Sequence, residues 1–200
     1  MKKGLPYPEV AKIVGDKPWN VMRRNHTTYK IDLSTAFKEK IRRNGMPCRL
    51  NIPDNFGYYF SGLFDGEGSL LLWHRNRKDG FSEYRLGVRM SLRDDDAKVL
   101  REIQQKLGGR LAHNKAHGAT NPSLQWTFDK IKDMAEIAIP LFERYPLKTK
   151  KRLEYKLWKS LVLDRYVETL GGCVRAKINH NFKRRFLKAM KIIQGAREYR

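Results

Sequence analysis

The chain has 200 residues, 40% of them apolar, with 42 Lys and Arg against 21 Asp and Glu, a net charge of +21 and an isoelectric point near 10.1. That is room for one domain with extensions; no apolar run approaches the ~20 residues that span a bilayer, and Met1 to Gly15 lacks the apolar stretch of a secretory signal. Self-repulsion on this scale is costly unless a polyanion is the partner, so nucleic acid is expected, a membrane surface being the other option.

The charge is uneven. Residues 1–55 carry 12 Lys and Arg against 5 Asp and Glu, residues 56–143 carry 13 against 12, and residues 144–200 carry 17 against 4. Both ends are basic, and the middle holds its charge in an ordered pattern. Cys48 and Cys173 lie far apart and make no metal spacing. They read as free thiols in an intracellular, reducing compartment.

Residues 1–54 read as a basic N-terminal extension. Pro8 to Val14 is a candidate short helix broken at Lys17-Pro18. Ala11, Gly15 and Val21 fall at the spacing of helix-turn-helix units. Ser34 can cap a helix over Thr35 to Asn44 that Gly45 ends.

Residues 55–170 read as the core. Phe56, Tyr59, Phe60, Leu63 and Phe64 recur at i, i+3, i+4, i+7 and i+8, one apolar face of a helix. Tyr58, Ser61, Gly62 and Asp65 make a second face, small at its middle, where another backbone can come close. They are the expected dimer contacts. The end reads Asp65-Gly-Glu-Gly68, so glycines are expected to stop the helix and leave Glu67 at its tip. A carboxylate there opposes the helix dipole, which invites a metal-ligand role.

Leu70 to Arg77 and Glu83 to Arg93 follow as strands joined by Asp79-Gly80, a hairpin signal. Leu86, Val88, Met90 and Leu92 alternate with Arg85, Gly87, Arg89, Ser91 and Arg93. The pattern is a sheet with one buried and one cationic, wet face. Leu70 and Leu72 inward leave Leu71, Trp73, Arg75 and Arg77 on the wet face. Asp94 to Asp96 open a helix whose stripe is Val99, Leu100, Ile103 and Leu107, ended by Gly108-Gly109. A second hairpin spans Arg110 to Lys115 and Ser123 to Phe128, with Leu124, Trp126 and Phe128 inward and Ser123, Gln125 and Thr127 outward. A helix over Asp129 to Phe142 is expected to be bent or shortened by Pro140. Another runs from Thr149 to Val167 with Leu153, Leu157 and Leu161 on one side.

The element order predicts an α+β fold, antiparallel hairpins on one sheet with helices on its apolar face. Residues 171–200 add a basic C-terminal helix, about Val174 to Gln194. Its stripe of Ile178, Phe182, Phe186, Met190 and Ile193 favours docking on the core over solvation.

The wet face suits a DNA major groove. A two-stranded ribbon fits that groove, Arg reads guanine bidentately and Gln reads adenine. The expected DNA-binding residues are Trp73, Arg75, Arg77, Arg85, Arg89, Arg93, Ser123, Gln125 and Thr127. Phosphodiester hydrolysis calls for a metal, and Mg2+ takes hard oxygen ligands such as the Glu67 carboxylate. One carboxylate per chain is too little; two chains meeting at Ser61-Gly62 would bring two.

The segment Phe60-Ser-Gly-Leu-Phe-Asp-Gly-Glu-Gly68 resembles the signature of LAGLIDADG homing endonucleases. The likeness runs from Phe56 to Leu163 and takes in both hairpins and Tyr145-Pro-Leu-Lys-Thr-Lys-Lys151. It implies an αββαββα core whose saddle-shaped sheet lies on double-stranded DNA, and a homodimer, since a single signature is present. It implies that Glu67 and the Gly66 carbonyl ligate Mg2+, with Ca2+ or Mn2+ able to substitute for binding. It makes Lys150 the catalytic basic residue, with Lys148 and Lys151 as alternatives, and expects a polar residue where Leu92 stands, leaving Arg93 as a substitute. The function implied is Mg2+-dependent cleavage of both strands of a long, near-palindromic site, leaving short 3′ overhangs. A non-catalytic binder on the same fold, an intron RNA maturase or a regulator, is the alternative; the retained Glu67 argues for the enzyme.

Overall fold

The computed structural model describes residues 41, 51–78, 80–115, 121–170 and 178–197. Apart from Ile41, which is helical and buried, the readings made for residues 1–50 lie outside the described residues, as do Asp79, Cys173 and Val174.

Helix α1 (Asp54–Glu67) leads directly into β1 (Gly68–Asn76), which pairs with β2 (Ser82–Arg93). A 3-10 turn over Asp94–Asp96 precedes α2 (Ala97–Leu107). Strands β3 (Arg110–Asn114) and β4 (Ser123–Phe128) follow. Then come a short α3 (Ile131–Asp133), a π turn (Met134–Ala138) and α4 (Ile139–Arg144). Two long helices close the chain, α5 (Lys151–Leu170) and α6 (His180–Arg197). The strands form one antiparallel sheet in the order β1-β2-β4-β3, with helices over one face. This is the α+β architecture expected.

The core lies between sheet and helices. Phe56, Phe60 and Phe64 stand one turn apart on α1, with ring centroids 6.3 and 5.9 Å apart. Phe60 meets Trp126 edge-on at 5.8 Å, and Phe64 meets Phe142 at 4.9 Å. From the strands come Leu70, Leu86, Val88, Met90, Leu124, Trp126 and Phe128, all buried. Full burial of such a side chain is worth about 1.5–3 kcal/mol, so this seam holds α1 to the sheet.

Several boundaries and faces differ from expectation. Strand β1 begins two residues early, at Gly68, because α1 passes into it with no loop. The acids Asp94 to Asp96 form a 3-10 turn, and α2 starts after them. Its buried stripe is Ala97, Leu100, Ile103 and Leu107, with Val99 half-buried. Pro140 does not merely bend its helix. It lacks an N–H and its ring crowds the carbonyl four residues back, and the wider π turn lies directly before it. Of the expected stripe on α5, Leu161 is buried and Leu157 half-buried against the core, while Leu153 is 65% exposed. The buried face is wider than the leucines and takes in Tyr155, Trp158, Val162, Tyr166 and Val167.

Helix α6 starts at His180, later than expected, where Asn179 Oδ1 accepts from the Phe182 N–H at 2.7 Å. It docks on α5 and β1 through Phe182, Phe186, Ala189 and Ile193. Phe186 meets Tyr84 edge-on at 5.3 Å, and Arg185 pairs with Asp164 of α5.

Candidate active site and nucleic-acid interface

Helix α1 is closed on three sides. Ser61, expected at a dimer interface, is 4% exposed, and its hydroxyl donates to the Tyr145 carbonyl at 2.7 Å. It therefore faces the core. Asp65 is half-buried and engaged within the chain: it accepts from the Lys148 N–H at 2.6 Å and from Thr149 Oγ1 at 2.8 Å. Gly57 lies against the Tyr145 ring, where an added Cβ would sit 2.2 Å from the nearest ring carbon. Tyr145 in turn donates to Asp54 Oδ1 at 2.7 Å, beside Arg144. That hydrogen bond, with the Arg144 charge, holds the Asp54 carboxyl below its ordinary range, while burial and the same bond push the Tyr145 phenol up.

The open face is a different stripe. Tyr58 is 63% exposed and Tyr59, expected inward, 50%; Gly62 and Gly66 are exposed, with nothing among the described residues within 4 Å of a Cβ at either. Of the four expected interface residues, Tyr58 and Gly62 lie on this face; Ser61 and Asp65 are turned from it. A helical wheel of small residues misled by one position, because Ser61 is as small as Gly62 but is needed under Tyr145.

The tip is also different. Gly68 does not end α1 in a left-handed turn; it is extended, at φ −79° and ψ 159°. Its need for glycine comes from the Phe64 ring, 2.2 Å from where a Cβ would be. Glu67 is the last helical residue and is exposed, and no donor among the described residues bonds its carboxylate. The dipole conflict is relieved across the chain. Lys151 Nζ donates to three carbonyls of the last turn of α1: Phe64 at 3.0 Å, Asp65 at 2.7 Å and Gly66 at 3.1 Å. A cation at a helix C-terminus is worth about 0.3–1 kcal/mol. The sequence favoured Lys150 as the basic residue near the site, with Lys148 and Lys151 as alternatives. In the fold Lys148 and Lys150 are exposed, and Lys151 is half-buried at the tip.

The wet sheet face is arranged in rows. Across β1, β2, β4 and β3 run Ser69, Arg89, Thr127 and Arg110. A second row is Ser91, Gln125 and Ala112, and a third Arg93, Ser123 and Asn114. Trp73 stands opposite Arg85, whose guanidinium lies 5.2 Å from the ring centroid. Arg85 pairs with Glu83, and Arg93 with Asp95 at 3.2 Å. Arg75, Arg77, Lys78 and Glu83 line an open hollow at the hairpin tip. Thr127 departs from expectation: it is 6% exposed, and its hydroxyl is buried without a partner. It sits in the wet face beneath its neighbours rather than at the surface. Arg110 and Asn114 on β3 share the face and are exposed, and sequence reasoning missed them. The signal was there in Arg110, Ala112 and Asn114 at period two, blurred by His113 on the inward side.

Among the described residues no group of three or more His, Cys, Asp or Glu side chains converges. At the tip of α1 the described residues offer a metal the exposed Glu67 carboxylate and nearby carbonyls. No helix among the described residues is long and apolar enough to cross a membrane.

A basic sheet beside a helix with an exposed acid at its tip defines a class, and comparison with known proteins gives the same one. Residues 60–162 match the LAGLIDADG endonuclease family, and the chain belongs to it. It is 35% identical over 130 residues to a probable intron-encoded endonuclease of Neurospora crassa, a match that covers 63% of this chain and 22% of that protein. Its fold resembles an archaeal intron-encoded homing endonuclease solved with DNA, with a TM-score of 0.57 at 17% identity over 74% of this chain and 88% of the other. It also resembles the LAGLIDADG homing endonuclease I-GzeII in complex with its DNA target, with a TM-score of 0.57 at 20% identity over 90% of this chain and 58% of that one. The chain thus spans about a fifth of the curated relative's length.

Proposed function

We propose that the chain is an intron-encoded, sequence-specific homing endonuclease that hydrolyses both strands of a long, near-palindromic DNA duplex as a homodimer, with Mg2+ as cofactor. The observation that carries this reading is Glu67: an exposed carboxylate that no described residue bonds, at the end of a helix whose neighbouring face, through Gly62 and Gly66, is exposed. A DNA binder gains nothing from an anion aimed toward its polyanion unless a cation stands between them.

The donors fit a hard divalent ion on one condition. Carboxylate and carbonyl oxygens suit Mg2+, yet one chain supplies too few. A second chain against the open face of α1 would bring a second Glu67 beside the first. Glu67 and the Gly66 carbonyl would then hold the ion from each side. Bound there, the metal would activate the attacking water and stabilise the leaving oxygen. This chain's own residues would do the rest. Arg75, Arg77, Arg85, Arg89 and Arg93, with Trp73, Ser123, Gln125, Arg110 and Asn114, would fix the duplex in register across the sheet. Lys150, exposed at the start of α5, would meet the charge that develops on the phosphate.

The test is a cleavage selection from randomised DNA duplexes in Mg2+. The reading expects one long site with approximate two-fold symmetry, cut on both strands. Tight binding to a selected site with no cutting would move the reading to a non-catalytic binder.

A further inference from the structure

Helices α1 and α5 close each other's ends. Helix α1 enters β1 with no intervening turn, so its last carbonyls have no following loop to satisfy them. The Gly68 N–H takes Phe64 O, and the Lys151 ammonium takes Phe64 O, Asp65 O and Gly66 O at 2.7–3.1 Å. In return the Asp65 carboxylate receives the Lys148 N–H and the Thr149 hydroxyl, at the approach to α5. Thr149 then supports that helix start, its oxygens accepting the Lys151 and Arg152 N–H groups at 3.3 and 3.0 Å. The negative end of one dipole thus meets the positive end of the other, and a carboxylate and an ammonium cross between them.

The geometry points to Lys151 as a positioning residue for the acid tip, acting with Asp65 to hold the Gly66 carbonyl and the Glu67 backbone where a divalent ion would be taken up. This inference rests on the reading of Glu67 and Gly66 as the metal-holding pair. The Gly66 carbonyl has two lone pairs, so the Lys151 N–H and an ion can share it. The ammonium directs one lone pair and leaves the other outward. Without it the last turn of α1 carries unsatisfied carbonyls at a half-exposed site and frays, because an acid directly beyond them repels the dipole. The role differs from that proposed for Lys150. Lys151 has no part in contacting DNA; it sets the place of groups that hold the ion.

The experiment is a calcium titration of DNA binding, read by fluorescence anisotropy on the selected duplex, for the native chain and for Lys151→Met, Lys151→Arg, Asp65→Asn and Glu67→Gln. Partners that orient metal ligands are worth about 10–100-fold in metal affinity. Lys151→Met is therefore expected to need at least about tenfold more Ca2+ to tighten DNA binding, with metal-free affinity nearly unchanged. Lys151→Arg, which keeps the charge and can reach the same carbonyls, is expected to recover most of that loss. Should Lys151→Met melt below assay temperature, Asp65→Asn carries the same test, and a rise in its Ca2+ requirement is expected. A native Ca2+ requirement in Lys151→Met or in Asp65→Asn overturns the positioning role. A native requirement in Glu67→Gln instead overturns the metal reading beneath it, so the two failures are told apart.

Discussion

Glu67 and Lys150 carry separate burdens, and single substitutions separate them. Glu67→Gln keeps the shape of the α1 tip and removes the charge that would hold a cation. Cleavage is expected to vanish, while DNA binding in metal-free buffer holds or tightens, because an anion facing phosphates is gone. A mutant that still cuts at the native rate removes Glu67 from the mechanism. Lys150→Met is expected to slow single-turnover cutting by about 10²-fold or more, the scale of one lost charge stabiliser. Its DNA affinity should change by no more than one phosphate contact accounts for. Equal losses in cutting and binding would make Lys150 a plain phosphate contact. At this scale the chemistry was readable and the wiring was not. A carboxylate after Asp-Gly at a helix end is visible in a sequence. That a lysine 84 positions later caps the same turn is a tertiary fact, with no local signal beyond the Lys148-Thr-Lys-Lys151 segment.

At the scale of the element, α1 has two small neighbours with opposite fates. Ser61 lies under Tyr145 with its hydroxyl bonded; Gly62 faces open space. Ser61→Leu loses the hydrogen bond to the Tyr145 carbonyl and forces a larger side chain into a buried site, and is expected to destabilise the fold by about 1–3 kcal/mol. Gly62→Arg should leave thermal stability within about 1 kcal/mol, the range of a mid-helix glycine replacement, and abolish self-association and cleavage together. Denaturant melts beside sedimentation of each variant check both. A Gly62→Arg chain that still dimerises and cuts would remove this face from the interface. The helix was legible from its Phe56, Phe60 and Phe64 spacing. Its faces were legible only to within one residue, about 100° of arc, which is why Ser61 and Tyr59 changed sides. Strands with a period of two were read more sharply: β2 and β4 point as expected, and Gly87 and Thr127 keep their direction but are covered by their neighbours. The π turn before Pro140 was signalled only as a bend or a shortening, since a proline does not say how a helix will yield.

For the whole molecule the charge of +21 and the wet sheet make one statement. Each phosphate neutralised releases condensed counterions, so the logarithm of DNA affinity should fall by about 0.9 per contact per decade of salt. With a basic sheet in a groove the expected slope is steep, several contacts' worth, and a flat response would count against backbone contact. The docking of α6 was foreseen from Phe182 and Phe186, because two phenylalanines on one stripe are costly to leave in water. The single antiparallel sheet and the layer arrangement followed from alternating hairpins and helices, since such patterns have few ways to bury one face; the strand order β1-β2-β4-β3 came from the structure. What sequence alone did not give is the closing of α1 by Lys151, Asp65 and Tyr145, a pairing of segments about 85 residues apart.

The most direct measurement is the number of chains on one selected duplex, by sedimentation of protein and labelled DNA in Ca2+. Two chains per duplex are expected, with the Gly62→Arg chain binding singly and failing to cut in Mg2+. One native chain per duplex, cutting both strands, would contradict an active centre shared between two copies of α1.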